Sequence, residues 1–525
     1  MAMTRQSIKK DSIIMRTIEE LVPQEHDVRK LDSCMDWDFI YPLVKDLYSD
    51  FGRPSIDPVV LFKMGFINIL FGIHSMRRTC KEIQVNLAYR WFLGIAMEDK
   101  VPNYSTWSQN YIRRYGDSEV FHHIFTRILK QAIEYGFVDL ETVYGDSTHQ
   151  KANANKNKYT DEEVEIVKRV YDDELLKEIN EDRIAHGKKP LKETKAEELN
   201  YDEETGSLKK DLVSKHIKVS KTDRESGCFH KGEKEKCFAY SHQTFCDKNG
   251  FVVLSHCAAG NVHDSVSFFP AYQLLSEEYK DKIKNICLDA GYITPAICKM
   301  ILENGQKMYA PYKRPVTKKG YMKKYDYVYD EKYDCYICPN IKILEYSTTN
   351  KQGYKEYKSN PKDCEGCPLR EKCTQSKNHQ KVITRHMWEK YREEVVDEIR
   401  HTVKWKKIYP KRKESIERVF GDCKEHHNLR YTRVRGLQKN QHQALMIFAC
   451  HNLKRMARWS WKISTKSIIK RMISTFFRTY EANEKWYPVW STTLSTIWIA
   501  IHECIAILFT LDFISCLLAF CNIRL

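Results

Sequence analysis

Two short β-prone runs, far apart in the chain, each lead to an aspartate. In "LETVYGDSTHQKANANK", residues 140–156, Thr142, Val143 and Tyr144 pass through Gly145 to Asp146. In "KNICLDAGY" a second run ends at Asp289. Strands distant in sequence can lie side by side in one sheet, so two acids at matching strand ends can meet. The residues after Asp146 are small, polar and basic, which leaves room beside the carboxylate for an anionic backbone.

The elements around these runs constrain the fold. Strands are expected over 236–247 and 251–258, joined through the hairpin signal "DKNG". A helix follows in "HDSVSFFPAYQLLSEEY", with His263 and Asp264 as its cap. After "KNICLDAGY" comes another helix at 294–304, then the short strand "KMYAPY". The order strand, hairpin, helix, strand, helix implies an α/β, RNase H-like core, a mixed sheet with flanking helices. Residues 14–137 read as helical, with Asp57 and Pro58 as a helix start. A highly charged helical insertion is expected from Thr160, where Thr160 and Glu163 match a capping box.

A third acid is expected on a helix after the sheet. In "YPKRKESIERVFGDCKEHHNLRYTRVRG", Ile416, Val419, Phe420, Cys423 and His427 form an apolar stripe at helical spacing. Glu417 and Lys424 lie two turns apart on one flank of it. Each of Asp146, Asp289 and Glu417, taken singly, reads as readily as a cap or a surface charge. Together they suit phosphodiester chemistry, in which two Mg²⁺ ions (or Mn²⁺), bound by hard carboxylate oxygens, serve an attacking water and a leaving oxygen. His149, His256, His263, His426 and His427 are read as local hydrogen-bonding residues, because metal-activated water needs no histidine base.

The charge balance agrees. The 525 residues carry a net charge of +16, unevenly spread. Residues 160–206 hold 16 acids against 8 Lys/Arg, whereas 404–435 hold 11 Lys/Arg against 4 acids. Concentrated positive charge of this kind, including Arg430, Arg433 and Arg435, points to a phosphate backbone.

With these motifs, the sequence resembles DDE-class insertion-sequence transposases, in the eleven-eighty-two group. The matching text is "YGDSTHQKANANK", "VSKTDRESGCFHKGEKEKCFAYSHQTFCDKNGFVV", "GNVHDSVSF", "LDAGYITP" and "IERVFGDCKEHHNLRYTRVRGLQKNQHQALMIFACHNLKRMAR", with a helical leader in "DPVVLFKMGFINILFGIHSMRRTCKEIQVNLAYRWFLG". The resemblance implies that Asp146, Asp289 and Glu417 are catalytic metal ligands. It implies that Tyr409, Arg412 and Lys424 match a Tyr-Arg-Glu-Lys signature and contact transposon-end phosphates. Arg412 stands five positions before Glu417 where the wider signature has four, and Lys413 fills that slot, so the choice between them stays open. The implied partners are double-stranded terminal inverted repeats and target DNA, bound by a homodimer or larger assembly in the nucleoid-associated cytoplasm, with no membrane. Two alternatives share these features: a nuclease without strand transfer, and a silent transposon-end-binding protein.

Five cysteines cluster in "YDCYICPNIKIL" and "NPKDCEGCPLREKC". Paired CxxC motifs have tetrathiolate zinc spacing. The resemblance favours Cys338, Cys364, Cys367 and Cys373, with Cys335 as alternate, for a structural Zn²⁺ in an irregular, coreless insertion. The tyrosines and lysines before it either stack on unpaired bases or form a β-like insertion with a solvated basic face. The expected partition is therefore a helical, DNA-end-binding domain over 1–137, the first core strand over 138–159, the acidic insertion over 160–220, the core over 221–311, the Tyr/Lys/Cys-rich insertion over 312–385, the Glu417 helices over 386–460, and an atypical apolar tail over 461–525. The tail's apolar run is broken by His502, Glu503 and Asp512, too soon for a membrane span of about 20 residues.

Overall fold

The fold is seen in a computed structural model that describes residues 13, 15–49, 51–52, 54–167, 172–191, 201–202, 207–208, 212–231, 235–312 and 318–482. Of the apolar tail expected over 461–525, residues 483–525, which hold its apolar run, lie outside them. The chain divides into two compact units, Met1–Trp459 and Ser460–Leu525; of the second, only a helical start to Ala482 is described. No helix among the described residues is long and apolar enough to cross a membrane.

The N-terminal part is helical, as its spacing predicts. Helix α1 (Pro58–Leu70) starts where Asp57 accepts the amide of Val59 and Pro58 occupies the first turn. Helices α2 (Met76–Val85), α3 (Leu87–Leu93) and α4 (Val120–Glu134) pack around Phe62, Phe66 and Phe92. The same apolar core runs on into the sheet, through Tyr144, Phe245, Phe251 and Phe268.

That sheet is mixed. Its strands are β1 (Thr142–Lys151), β4 (Gly227–Lys231), β5 (Glu235–Asp247), β6 (Val252–Ala259), β7 (Asn285–Cys287) and β8 (Lys307–Tyr309), with β2 (Tyr159–Val167) and β3 (Leu212–Ser220) pairing apart from it. The order is β8-β7-β1-β5-β4, with β6 also paired to β5. Strands β1, β7 and β8 are parallel, whereas β5 runs antiparallel to β1, β4 and β6. Helix α6 (Asp264–Tyr279) follows β6, and His263 caps it by accepting the amide of Ser265. Helix α7 (Pro295–Glu303) links β7 to β8.

Three expectations are corrected. Residues from Thr160 are in strand β2, not a capped helix, and the Thr160 hydroxyl donates to Glu162 at 2.6 Å. The helix comes later, as α5 (Asp172–Ala185). Asp146 does not end its strand, because Ser147–Lys151 continue in pairing with β5. The stretch 312–385 is neither irregular nor coreless. It builds a second sheet from β9 (Val328–Asp330), β10 (Cys335–Ile337), β11 (Ile343–Thr349), β12 (Tyr354–Ser359) and β13 (Val382–His386), in sequence order. Tyr327, Tyr336, Leu344, Tyr357 and Ile383 are its core, so Tyr327 and Tyr336, among the tyrosines considered for base stacking, are buried, while Tyr325 and Tyr333 are exposed.

Inside the main sheet, His242 of β5 is fully buried. Its Nε2 faces Gln150 Oε1 at 3.0 Å, and its Nδ1 has no partner. Burial, with the charges of His149, His256 and Lys424, pushes its pKa down to about 3. Below about pH 6.5 the unfolded chain therefore takes up a proton that the folded chain refuses until about pH 3. The contribution of this ring is complete above pH 6.5 and falls as pH drops through that window, by at most ~1.4 kcal/mol per unit. Urea unfolding at pH 7, 5.5 and 4.5 should show a shallower loss for His242→Gln than for the parent chain.

Candidate active site

The two aspartates are brought together by strand register. In the parallel pairing of β1 with β7, Tyr144 lies opposite Cys287. Two residues further along each chain stand Asp146 and Asp289, at matching positions where β7 has ended and β1 continues. Gly145 permits the close packing here: a Cβ at that position would sit 2.6 Å from Leu288 and 2.7 Å from the Phe245 ring. Only glycine lets both neighbouring chains close over the strand beside Asp146.

A part-buried carboxylate, Asp146, and an exposed one, Asp289, repel unless a cation stands between them. That cation is Arg412. Its Nη2 is 2.5 Å from Asp146 Oδ2 and its Nη1 is 3.6 Å from Asp289 Oδ1. Tyr409 is half-buried beside it, stacked on Trp405 at 5.6 Å. Ser415 donates its hydroxyl back to the Lys411 carbonyl, closing the turn that delivers Arg412. Asp146 remains under-compensated. Burial, with Asp289 and Asp264 nearby, raises its pKa to about 6 against the pull of Arg412 and the Ser147 amide.

Helix α11 (Ile416–His426) starts at once, and its stripe of Ile416, Val419, Phe420 and Cys423 is buried as expected, with His427 beyond it. Glu417 is in the first turn, exposed. Among the described residues, the groups of metal-type ligand atoms lying within 4.8 Å of one another are Asp422–His427–His451 and Asp182–His186–Asp334. Neither the three acids nor the four cysteines form so tight a group.

The basic residues take separate places. Lys413 is exposed. Lys424, Arg430 and Arg433 line a cavity of about 820 Å³, shared with Asn68, His74 and Trp107 of the N-terminal helices. The segment after β1 runs against this basic strip: the Lys151 amide donates to the Arg430 carbonyl at 3.1 Å and Arg435 Nε donates to the Asn153 carbonyl at 3.3 Å. Cys338, Cys364, Cys367 and Cys373 line one small cavity of about 30 Å³, which Cys335 does not reach. Cys338 follows β10, while the other three come from α8 (Pro361–Glu365), α9 (Arg370–Cys373) and the loop between them.

Comparison with known families agrees with this layout. Residues 16–113 match a family described as Transposase domain (DUF772), and residues 337–457 match one described as Transposase DDE domain. The two matches indicate a DDE-type insertion-sequence transposase. No curated protein and no solved structure matches the chain. The second match spans Cys338, Cys364, Cys367, Cys373, Arg412 and Glu417, while Asp146 and Asp289 lie in the unmatched stretch between the two.

Two features of the site were missed in the sequence. Asp264, read only as part of a helix cap, accepts the Ser147 hydroxyl at 2.6 Å and adds negative charge beside Asp146. Arg412, set by the signature at a DNA phosphate, is buried against the two acids instead. Its spacing of five before Glu417 was the available signal, since that offset puts the two residues on different sides of a helical turn.

Removing one partner of a buried ion pair leaves the other charge exposed to its full cost, about 3–5 kcal/mol. Arg412→Gln should lose stability of that order at pH 8 in urea unfolding. Asp146 already has a raised pKa, and loss of the guanidinium raises it further, so protonation relieves the repulsion as pH falls through about 6. The deficit of the variant should shrink between pH 8 and pH 5.

Proposed function

We propose that this transposase cuts DNA at the ends of its insertion sequence and joins the freed 3′-hydroxyls to target DNA, with Asp146, Asp289 and Glu417 as ligands for two Mg²⁺ or Mn²⁺ ions. The observation that carries this reading is the parallel register that sets Asp146 beside Asp289, both reached by Arg412, which leads into a helix with Glu417 in its first turn. The sheet order supports an RNase H-like core: three antiparallel strands, extended past the first of them by two parallel ones. The helical N-terminal domain, acidic insertion and cysteine-rich insertion are read as additions to that core.

The donors fit hard divalent cations. They are all carboxylate oxygens, and Asp146 and Asp289 keep 27% and 56% of their side-chain surface open. When bound, such ions supply an activated water and charge stabilisation at the reacting phosphate. The protein's own residues do the rest. Arg412 holds the two carboxylates at one mouth, and Tyr409, braced on Trp405, fixes the turn that carries it. Lys413, Lys424, Arg430, Arg433 and Arg435 offer cations to the DNA backbone, which positions the scissile bond without reading sequence. Joining two ends calls for a homodimer or larger assembly on DNA.

The test is cleavage of a duplex carrying the element's own ends. Glu417→Gln should reduce Mg²⁺-dependent nicking by at least ~10²-fold while leaving end binding intact in a gel-shift assay. Equal nicking by the two proteins would defeat the assignment. Joining is read separately, as integration of pre-cut ends into a plasmid.

We further read Cys338, Cys364, Cys367 and Cys373 as ligands of a structural Zn²⁺, supported by their shared cavity. Elemental analysis of the purified chain should show about one equivalent of zinc fewer in Cys364→Ser.

A further inference from the structure

A second cluster of ligand atoms lies away from the two aspartates, where α11 meets helix α12 (Leu437–Ala482). It consists of Asp422, His427 and His451, whose ligand atoms all lie within 4.8 Å of one another. The hydrogen bonds behind the two rings decide what they present. His427 Nδ1 is 3.1 Å from the Ile69 carbonyl, and His451 Nε2 is 3.0 Å from the Gly250 carbonyl. A carbonyl only accepts, so those two nitrogens carry the ring protons. In the neutral rings the other nitrogens, His427 Nε2 and His451 Nδ1, are then bare lone pairs.

Both face the same carboxylate oxygen. His451 Nδ1 is 3.0 Å and His427 Nε2 is 3.7 Å from Asp422 Oδ2. His427 is fully buried, and its Nε2 has no hydrogen-bond partner. A single added proton on His451 Nδ1 would bridge to Asp422 at 3.0 Å but leave the buried lone pair of His427 Nε2 facing the same oxygen, so one proton does not satisfy all three atoms. Protonating both rings would place two imidazolium ions, with ring centroids 6.3 Å apart, in the interior. One divalent cation satisfies all three donors at once. A histidine that gives its remote N–H to a backbone carbonyl and its near lone pair to a metal is the usual arrangement at metal sites.

We propose that Asp422, His427 and His451 bind a divalent transition metal of borderline softness, with Zn²⁺ as the type. Two imidazoles and one carboxylate suit Zn²⁺, whereas Mg²⁺ and Ca²⁺ prefer all-oxygen sites. Asp422 is 34% exposed, which opens a path from solvent. On that open side His426 Nε2 stands 4.0 Å from Asp422 Oδ1, placed to serve as a fourth ligand. The local sequence builds the site. Asn428 takes the left-handed conformation (φ 63°) and the Leu429 amide bonds back to the Cys423 carbonyl, ending α11 so that His427 turns inward. Gly250, at φ +77°, turns the hairpin whose carbonyl holds His451.

Such an ion would tie together four separate segments: the helix that carries Glu417, helix α12, the end of α1 and the β5–β6 hairpin. Its role is positioning, since none of its ligands approaches Asp146 or Asp289.

The experiment uses the full chain with Cys364→Ser and Cys367→Ser, which removes the thiolate candidate. After treatment with EDTA, the protein is titrated with Zn²⁺ against a chromophoric indicator. One equivalent should bind, and adding Asp422→Asn or His451→Gln should weaken it beyond the ~10–100-fold that loss of an outer-sphere partner costs. A gain-of-signal variant covers the case in which these fold poorly: Asp422→Cys, loaded with Co²⁺, should acquire a thiolate charge-transfer band that its parent lacks. No bound zinc in the thiol-depleted chain, or unchanged binding together with no new band, would overturn the proposal. Because the readout is metal binding, failure of DNA cleavage does not affect it.

Discussion

The site depends on one alignment, that of β1 with β7. Parallel strands in this register put residues 144 and 287 opposite each other, and the two following aspartates share a place at the sheet. Close approach of three chains is needed to hold that register, and Gly145 provides it by having no side chain between Leu288 and Phe245. Once the carboxylates are adjacent, electrostatics dictates the next piece. A buried cation must reach both, and the turn before α11 supplies Arg412. Helix α11, which follows that turn, is thereby placed by the cation the turn delivers.

The long excursion between β8 and α11 must return the chain to the same edge of the sheet, and several contacts secure the return. Helix α10 (Glu389–His401) follows β13 and lies against the sheet edge, where Lys307 and Tyr309 of β8 both reach Glu398 at 3.3 Å. Helix α5 holds the other side. Arg183 donates to Thr348 and to the Thr349 carbonyl of β11, and Glu178 accepts from Trp388 at 2.6 Å and from the buried Lys299 of α7. The charged insertion is thus built into the seam between the two sheets, and its acids there neutralise buried cations.

What was legible in the sequence was whatever local pattern decides. The strands leading to Asp146 and Asp289, the stripe of α11, the Asp57 cap and the "DKNG" hairpin all follow from period and turn chemistry. Partner identity was not legible. Arg412 looked like a surface cation because charge alone does not say whether a side chain points to solvent or to two acids beyond the next strand. Strand β2 was mistaken for a helix because Thr160 and Glu163 fit a cap, although "EEVEIV" alternates with the period of a strand. The tyrosines of the second sheet looked like a basic, irregular surface, yet tyrosine favours pleated, half-buried positions. The histidines at 427 and 451 are separated by a turn and most of a helical hairpin, and nothing in either stretch predicts that both rings spend their protons on carbonyls.

The balance of charge at the aspartates gives the site its direction. One guanidinium stands against Asp146 and Asp289, with Asp264 close by, so the mouth remains anionic. The rise of Asp146 to about pH 6, in spite of Arg412, is the mark of that deficit. Around it the surface has the opposite sign, from Lys151 through the strip that holds Arg430, Arg433 and Arg435. On the proposed function, a polyanion would be drawn to these cations, while the acids would repel it and attract small cations. Phosphate oxygens can settle between the acids only when further positive charge accompanies them. On the proposed function, an anionic centre with cations along the chain beside it would couple cation binding to the approach of DNA, because each arrival lowers the electrostatic cost of the other.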